Sequence, residues 1–146
     1  EDSGSVAKKL SNIKHGFFAS PSFLKMYSMI NSPEDLRSVP AVIYRNTSPT
    51  LNYIDVGGEE RSMNMSPSLY ANSIAMLVGG VLNGLGFAGL PMFAAEEHAK
   101  SGKLIQILKD YTPHPDLDVF VIYPDKRFLP LKVRKFIDLL SKHFST

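Results

Sequence analysis

Two short segments carry polar side chains of the kind that hold a small molecule. Arg45-Asn46-Thr47-Ser48 follows one apolar, β-branched run, and Asn64-Met65-Ser66-Pro67-Ser68 follows a weaker one. Their hydroxyls and amides can each make several directional hydrogen bonds. Ser66-Pro67 has the form of a helix cap with proline at the first helical position, so the second segment is expected to open a helix. Helix N-termini attract anions through unpaired N–H groups and the macrodipole, and ligands of open α/β sheets bind beyond the carboxyl ends of strands. The chemistry implied is recognition of a small anion. Ordinary caps and turns use the same residue types, and the two readings stay open at this level.

Other chemistries find less support. Gly84-Leu85-Gly86-Phe87-Ala88-Gly89 matches the dinucleotide fingerprint G-x-G-x-x-G. That motif works when a strand precedes it and a helix follows, placing the pyrophosphate at the helix start. Here a helix is expected before it and a strand within it, so a helix C-cap and a close backbone approach fit better, and no cofactor is expected. His15, His98, His114 and His143 lack the i, i+4 spacing of a helical metal site, and there is no Cys to supply a thiolate ligand or nucleophile. No Ser lies in G-x-S-x-G, and no carboxylate pair is spaced for acid/base work. No catalytic residue and no metal ligand is assigned.

The elements that must position these segments alternate between strand and helix. His15 to Ala19 reads as a strand running into a helix from Pro21 to about Ile30. Ser32-Pro33-Glu34-Asp35 caps a second, very short helix. Ala41 to Tyr44 is a strand; Asn52 to Val56 and Glu60 to Met65 are weaker ones flanking Gly57-Gly58. From Ser66 a helix is expected with Tyr70, Ile74, Leu77, Val78 and Val81 as its buried stripe. Phe87 to Leu90 is a buried strand, Pro91 to about Ala99 a helix ended by Gly102, and Leu104 to Leu108 and Leu117 to Tyr123 are strands. The last helix, Pro130 to about Phe144, puts Val133, Phe136, Ile137, Leu140 and Phe144 on one face. The class is α/β with a largely parallel or mixed sheet.

Composition bounds the function. With 146 residues, 44% hydrophobic and 21% charged, the chain has material for a core and none of the character of a disordered tail. A net charge of +2 does not announce nucleic acid. Lys126, Arg127, Lys132, Arg134, Lys135 and Lys142 make the C-terminal segment basic, which without an aromatic platform reads as a solvated helix face. Ser62 to Ala95 carries no charge, but its glycines and prolines cut it into pieces too short to cross a bilayer, so no membrane partner is expected. Glu1-Asp2-Ser3-Gly4-Ser5 has neither an initiator Met nor the pattern of a signal peptide, and is expected to be a cut end.

The order of motifs resembles one family. Gly84-Leu85-Gly86-Phe87-Ala88-Gly89-Leu90-Pro91 resembles the G-L-G-I-A-x-L-P segment of LysR-type transcriptional regulators. Residues 123–140, from Tyr123-Pro124 through Arg127, Leu129-Pro130, Lys132-Val133-Arg134 and Phe136-Ile137-Asp138 to Leu140, follow that family's closing pattern nearly position for position. Ala19-Ser20-Pro21-Ser22-Phe23-Leu24, Pro33-Glu34-Asp35-Leu36 and Ser101-Gly102-Lys103-Leu104 fall in the same order as their family counterparts, and the resemblance covers essentially the whole chain.

The resemblance implies a periplasmic-binding-protein-like (type 2) effector domain, two α/β lobes around a cleft, with mostly the second lobe present and the first largely missing. Residues 1–18 would be a remnant and crossover strand of the first lobe, 19–118 the second lobe, and 119–146 the return strand and C-terminal helix. Phe17, Phe18, Phe120 and Val121 would mark the hinge crossings. An inducer would contact Arg45, Asn46, Thr47, Ser48, Ser66, Pro67 and Ser68, with Arg45 facing a carboxylate. The implied protein is a cytoplasmic, homo-oligomeric (dimeric or tetrameric) regulator that binds a small-molecule effector and reaches DNA only through a domain outside this chain. A solute-binding module of a transport system with the same fold is the alternative. An enzyme of the same superfold would need a nucleophile or acid/base set, which is not visible.

Overall fold

The computed structural model describes residues 5–45, 48–114, 117–124 and 129–144. The chain divides into two compact units, 14–115 and the pairing of 1–13 with 116–146. Phe17 and Phe18 lie inside the first of these, and Phe120 and Val121 inside the second.

In the unit 14–115 the apolar runs become strands with both faces covered. Strand β2 (His15–Ala19) is the centre of a three-stranded antiparallel sheet, between β7 (Ala88–Pro91) and β8 (Ile105–Ile107). Successive side chains of a strand point to opposite faces. Phe17 therefore joins a cluster with Phe23, Leu36, Ile43, Tyr53 and Phe87, while Phe18 joins another with Val42, Leu77, Val81, Leu90 and Leu104. Strand β3 (Pro40–Tyr44) divides in the same way, Val42 to one cluster and Ile43 to the other. This is why Phe-Phe and Val-Ile stand where a half-buried strand would alternate with polar residues.

Strand β3 pairs in parallel with β6 (Ser66–Ala71), and β4 (Thr50–Ile54) lies between β5 (Glu60–Asn64) and β9 (Thr112–His114) in an antiparallel sheet. The sheets are thus mixed. Helices α1 (Pro21–Met26), α2 (Ile74–Leu82) and α3 (Met92–Lys100), with a 3-10 turn at Pro33–Ser38, fill the connections. Ser20 caps α1 through Phe23 N–H at 3.3 Å, as its Ser-Pro signal implies. The helix ends at Met26, short of Ile30, because Tyr27 leaves the helical conformation and turns onto the Phe23 ring, 4.7 Å away.

The largest departure from expectation is at Ser66-Pro67, which starts a strand and not a helix. In the parallel register Pro40 faces Ser66 and Ala41 faces Pro67, but Val42 faces Leu69, so Ser68 is an extra residue in a bulge. Proline lacks an N–H for the ladder and is tolerated at such an irregularity. Ser68 Oγ takes up the carbonyls of Ala41 (3.1 Å) and Leu85 (2.5 Å). The helix starts eight residues after Ser66, capped by Ser73, whose Oγ accepts Met76 N–H at 3.2 Å. Of the expected stripe, Leu77, Val78 and Val81 are buried on α2, Ile74 is exposed at its start, and Tyr70 is half exposed on β6.

The fingerprint-like glycines serve packing. Gly84 follows α2 in the left-handed region at φ +73°, which glycine adopts without a Cβ penalty. Gly86 lies against the backbone of Pro40, and β7 follows.

In the other unit, β1 (Ser5–Ile13) pairs antiparallel with β10 (Leu117–Pro124), with an irregularity between Lys9 and Ser11. Asp118 ties the pair through Lys9 Nζ (2.6 Å) and Asn12 Nδ2 (3.1 Å). Helix α4 (Leu131–Phe144) turns Val133, Ile137 and Leu140 inward, and Phe136 and Phe144, expected on that stripe, are exposed. Lys132, Arg134, Lys135 and Lys142 are exposed; Lys126 and Arg127 lie outside the described residues.

One carboxylate organises the 3-10 turn. Asp35 Oδ2 accepts Asn31 N–H (2.9 Å), Ser32 N–H (2.8 Å) and Ser32 Oγ–H (3.1 Å). These bonds, the backbone bond from Asn31 foremost, hold its carboxyl below the ordinary value of 3.8. A depressed folded-state pKa stabilises the fold above the unfolded value, and that contribution is lost as pH falls through the folded value. Asp35→Asn is therefore expected to lower the melting temperature at pH 7, and its gap to the wild type is expected to narrow at a pH below 3.8. Parallel melts of the two proteins at both pH values check this; a constant gap would contradict it.

Candidate functional site

The parallel pair β3/β6 ends where a ligand site of an α/β sheet is built. At its carboxyl edge Tyr44 faces Ala71, Arg45 N–H donates to Ala71 O at 2.7 Å, and Tyr44 Oη donates to Asn72 O at 3.2 Å. The chain then turns at Asn72-Ser73 into α2. Residues 72–76 are all exposed, so the first turn of α2 presents its N–H groups to solvent. Met76 N–H takes Ser73 Oγ; those of the first two helical residues have no intrahelical acceptor. Arg45 is exposed and forms no ion pair among the described residues. A cation, a helix N-terminus and the Ser73 hydroxyl thus share one edge, an arrangement suited to an anion.

Of the residues expected from sequence, Arg45 lies at this edge and Ser48 a few residues beyond, its hydroxyl donating to Thr50 Oγ1 at 3.2 Å. Asn46 and Thr47 lie outside the described residues. Ser66, Pro67 and Ser68 stand at the opposite end of the strand pair, beside Pro40 and Ala41. Ser66 and Ala71 are five residue steps apart along the strand, roughly 16 Å at the usual rise per residue. Arg45 and Ser66–Ser68 are therefore not brought together, whereas Ser48 at the end of the first segment is linked through Thr50 Oγ1 to Asn64 at the start of the second. The partner of the Arg45 loop is Asn72-Ser73, which lies outside both polar segments expected from the sequence. A signal was present: Ser73 stands directly before the unbroken apolar run Ile74 to Val78, the usual place of an N-cap.

Among the described residues no group of three or more His, Asp or Glu converges as a metal site, and no buried side-chain polar atom is without a hydrogen bond. Among the described residues no helix is long and apolar enough to cross a membrane.

Comparison with known proteins agrees with this architecture. Residues 1–145 match the family model of the LysR substrate binding domain. An uncharacterized HTH-type transcriptional regulator of Haemophilus influenzae is 31% identical over 134 residues, covering 91% of this chain and 46% of that protein. The HTH-type regulator YhjC of Escherichia coli is 30% identical, with 96% and 48% covered. Among solved structures, the regulatory domain of the C227S variant of AphB from Vibrio vulnificus superposes with a TM-score of 0.81 at 26% identity, over 97% of this chain and 72% of that one. The regulatory domain of CrgA from Neisseria meningitidis gives 0.80 at 25%, over 99% and 71%. The chain spans about half the length of the curated relatives it matches. Its fold is the periplasmic-binding-protein-like type 2 fold of LysR regulatory domains. With a family model matched over nearly every residue and the fold of those domains, the chain belongs to the LysR substrate-binding domain family.

Proposed function

We propose that this domain senses a small anionic effector, a carboxylate in the first instance, and that binding shifts the populations of conformers read by DNA-binding domains elsewhere in the parent protein. The observation that carries the reading is the carboxyl edge of β3/β6, where Arg45 and the exposed first turn of α2 meet. In this reading that edge is one wall of an interlobe cleft, and Asn46, Thr47 and Ser48 complete the contacts. The parent protein is a cytoplasmic homo-oligomer, and the domain itself is not catalytic; its relatives are named as transcriptional regulators. Solute transport, the alternative on the same fold, has no such support.

A ligand that binds only the native state raises the melting temperature by mass action. A thermal-shift series of small aliphatic and aromatic carboxylates on the intact effector domain is expected to yield at least one stabilising compound. Arg45→Met is expected to weaken that compound about tenfold, the loss of one charge-assisted pair. If no carboxylate shifts the melt, or Arg45→Met binds as well as wild type, the anion-sensing assignment fails.

A further inference from the structure

The strand pair has a second polar end. Beside the start of β3 and β6, an open depression of about 490 Å3 is lined by Arg37, Thr50, Ser62, Asn64 and Ser66, with Met63 and Met65 completing it. That volume falls in the range of small-molecule sites, which run from about 300 to 1,000 Å3. Its lining does not resemble the mostly apolar walls of such sites, and hydrogen bonding must decide what enters.

The polar groups can be followed one by one. Thr50 Oγ1 accepts from Ser48 Oγ and donates to Asn64 Oδ1 at 3.2 Å, which turns the Asn64 amide NH2 away as a donor without a protein partner among the described residues. Ser66 Oγ donates to Arg37 O at 3.1 Å and keeps its acceptor lone pairs. Ser62 Oγ makes no hydrogen bond among the described residues, and it shares the outer face of β5 with Asn64, while Met63 between them points inward. The Arg37 guanidinium forms no ion pair among the described residues. The nearby acids are engaged elsewhere or do not line the depression: Asp35 caps its own turn, Glu34 meets the Tyr53 hydroxyl at 3.5 Å, and Glu60 is outside the lining.

One planar cation, an amide donor and two hydroxyls with free lone pairs define the occupant. We infer that this depression is a second binding site, distinct from the Arg45 edge, for a small polyhydroxylated carboxylate whose carboxyl group faces Arg37 and whose hydroxyls meet Ser62, Asn64 and Ser66. A guanidinium matches a carboxylate through two parallel N–H bonds, and a lining with so little apolar surface gives no advantage to an aromatic ring.

Calorimetric titration of the protein with D-gluconate, benzoate and inorganic phosphate tests the site. Gluconate is expected to bind more tightly than the other two; Arg37→Met to weaken it at least tenfold; Arg37→Lys, which keeps the charge and loses the fork, to fall between; and Arg45→Met to leave it unchanged. Arg37 is exposed, and melting curves of both Arg37 variants are expected to match the wild type. The proposal is overturned if gluconate shows no binding at concentrations on the order of 10 mM. It is also overturned if Arg37→Met binds like wild type, if benzoate or phosphate binds more tightly, or if Arg45→Met removes gluconate binding, which would assign that ligand to the other edge.

Discussion

Adding a single methyl group at Gly86 is expected to destabilise the unit 14–115 by about 2–4 kcal/mol, the combined cost of overpacking and of strained hydrogen bonds. A Cβ there would sit 2.7 Å from Pro40 O, 2.9 Å from Pro40 C and 3.0 Å from Ala41 C. All three are backbone atoms and none can rotate away. The same contact carries two hydrogen bonds, Phe87 N–H to Pro40 O at 3.1 Å and Val42 N–H to Phe87 O at 2.8 Å, which hold the approach to β7 against β3 where the two core clusters meet. Moving the chains apart to admit the methyl loosens both bonds.

Gly79 supplies the control. It lies within α2 and a Cβ there meets nothing within 4 Å, so Gly79→Ala is expected to stabilise by about 0.5–1 kcal/mol through helix propensity alone. Urea denaturation of Gly86→Ala and Gly79→Ala reads both. Equal midpoints in the two variants would show that the backbone approach at Gly86 is not tight.

Truncating Phe17 to alanine is expected to cost about 3–5 kcal/mol, the range for removing a buried aromatic and leaving a cavity. The ring is fully buried in the central strand of its sheet and meets Phe87 edge-on at 6.5 Å. The strands on both sides restrain collapse around the void, since β2 is hydrogen-bonded to β7 and to β8. Phe93, on α3 and 64% exposed, is the matched comparison, and Phe93→Ala is expected to change stability by no more than about 0.5 kcal/mol. A Phe17→Ala protein that unfolds at the wild-type denaturant concentration would contradict the core assignment.

Much of this architecture was legible in the residues, because the strongest signals are local. Two-sided burial writes itself as unbroken apolar runs, so β2, β3 and β7 are visible in Phe17-Phe18, Val42-Ile43 and Phe87 to Leu90. Caps at Ser20 and Ser32 and the glycine after α2 mark boundaries through hydrogen bonds and a backbone conformation that few residue types provide. Strand β1 carried no such mark: Ser5 to Ile13 alternates weakly, and its extended state comes from pairing with β10, more than a hundred residues away in sequence. Strand β9 is short and, among the described residues, pairs with β4 alone.

The candidate site divides along the same line. Chain order alone placed Arg45 at the carboxyl end of a strand, and the family's motifs placed the chain among LysR substrate-binding domains. The misplaced half, Ser66-Pro67-Ser68, shows how one dipeptide carries two meanings. Ser-Pro satisfies the local requirements of a helix start, yet the same residues gain more from a parallel ladder with Pro40–Tyr44 and from the carbonyls that Ser68 satisfies. Only that pairing moves the helix start to Ser73 and makes it the neighbour of Arg45.

Residue types and their spacing by themselves determined the two-sided apolar strands, the caps at Ser20 and Ser32 and the resemblance to the family. Tertiary structure alone decided which polar groups share an edge. Local propensities fix a backbone segment by segment, whereas the register of β3 against β6 depends on hydrogen bonds between segments some 26 residues apart, and it is this register that sends Arg45 to one end and Arg37 with Ser66 to the other.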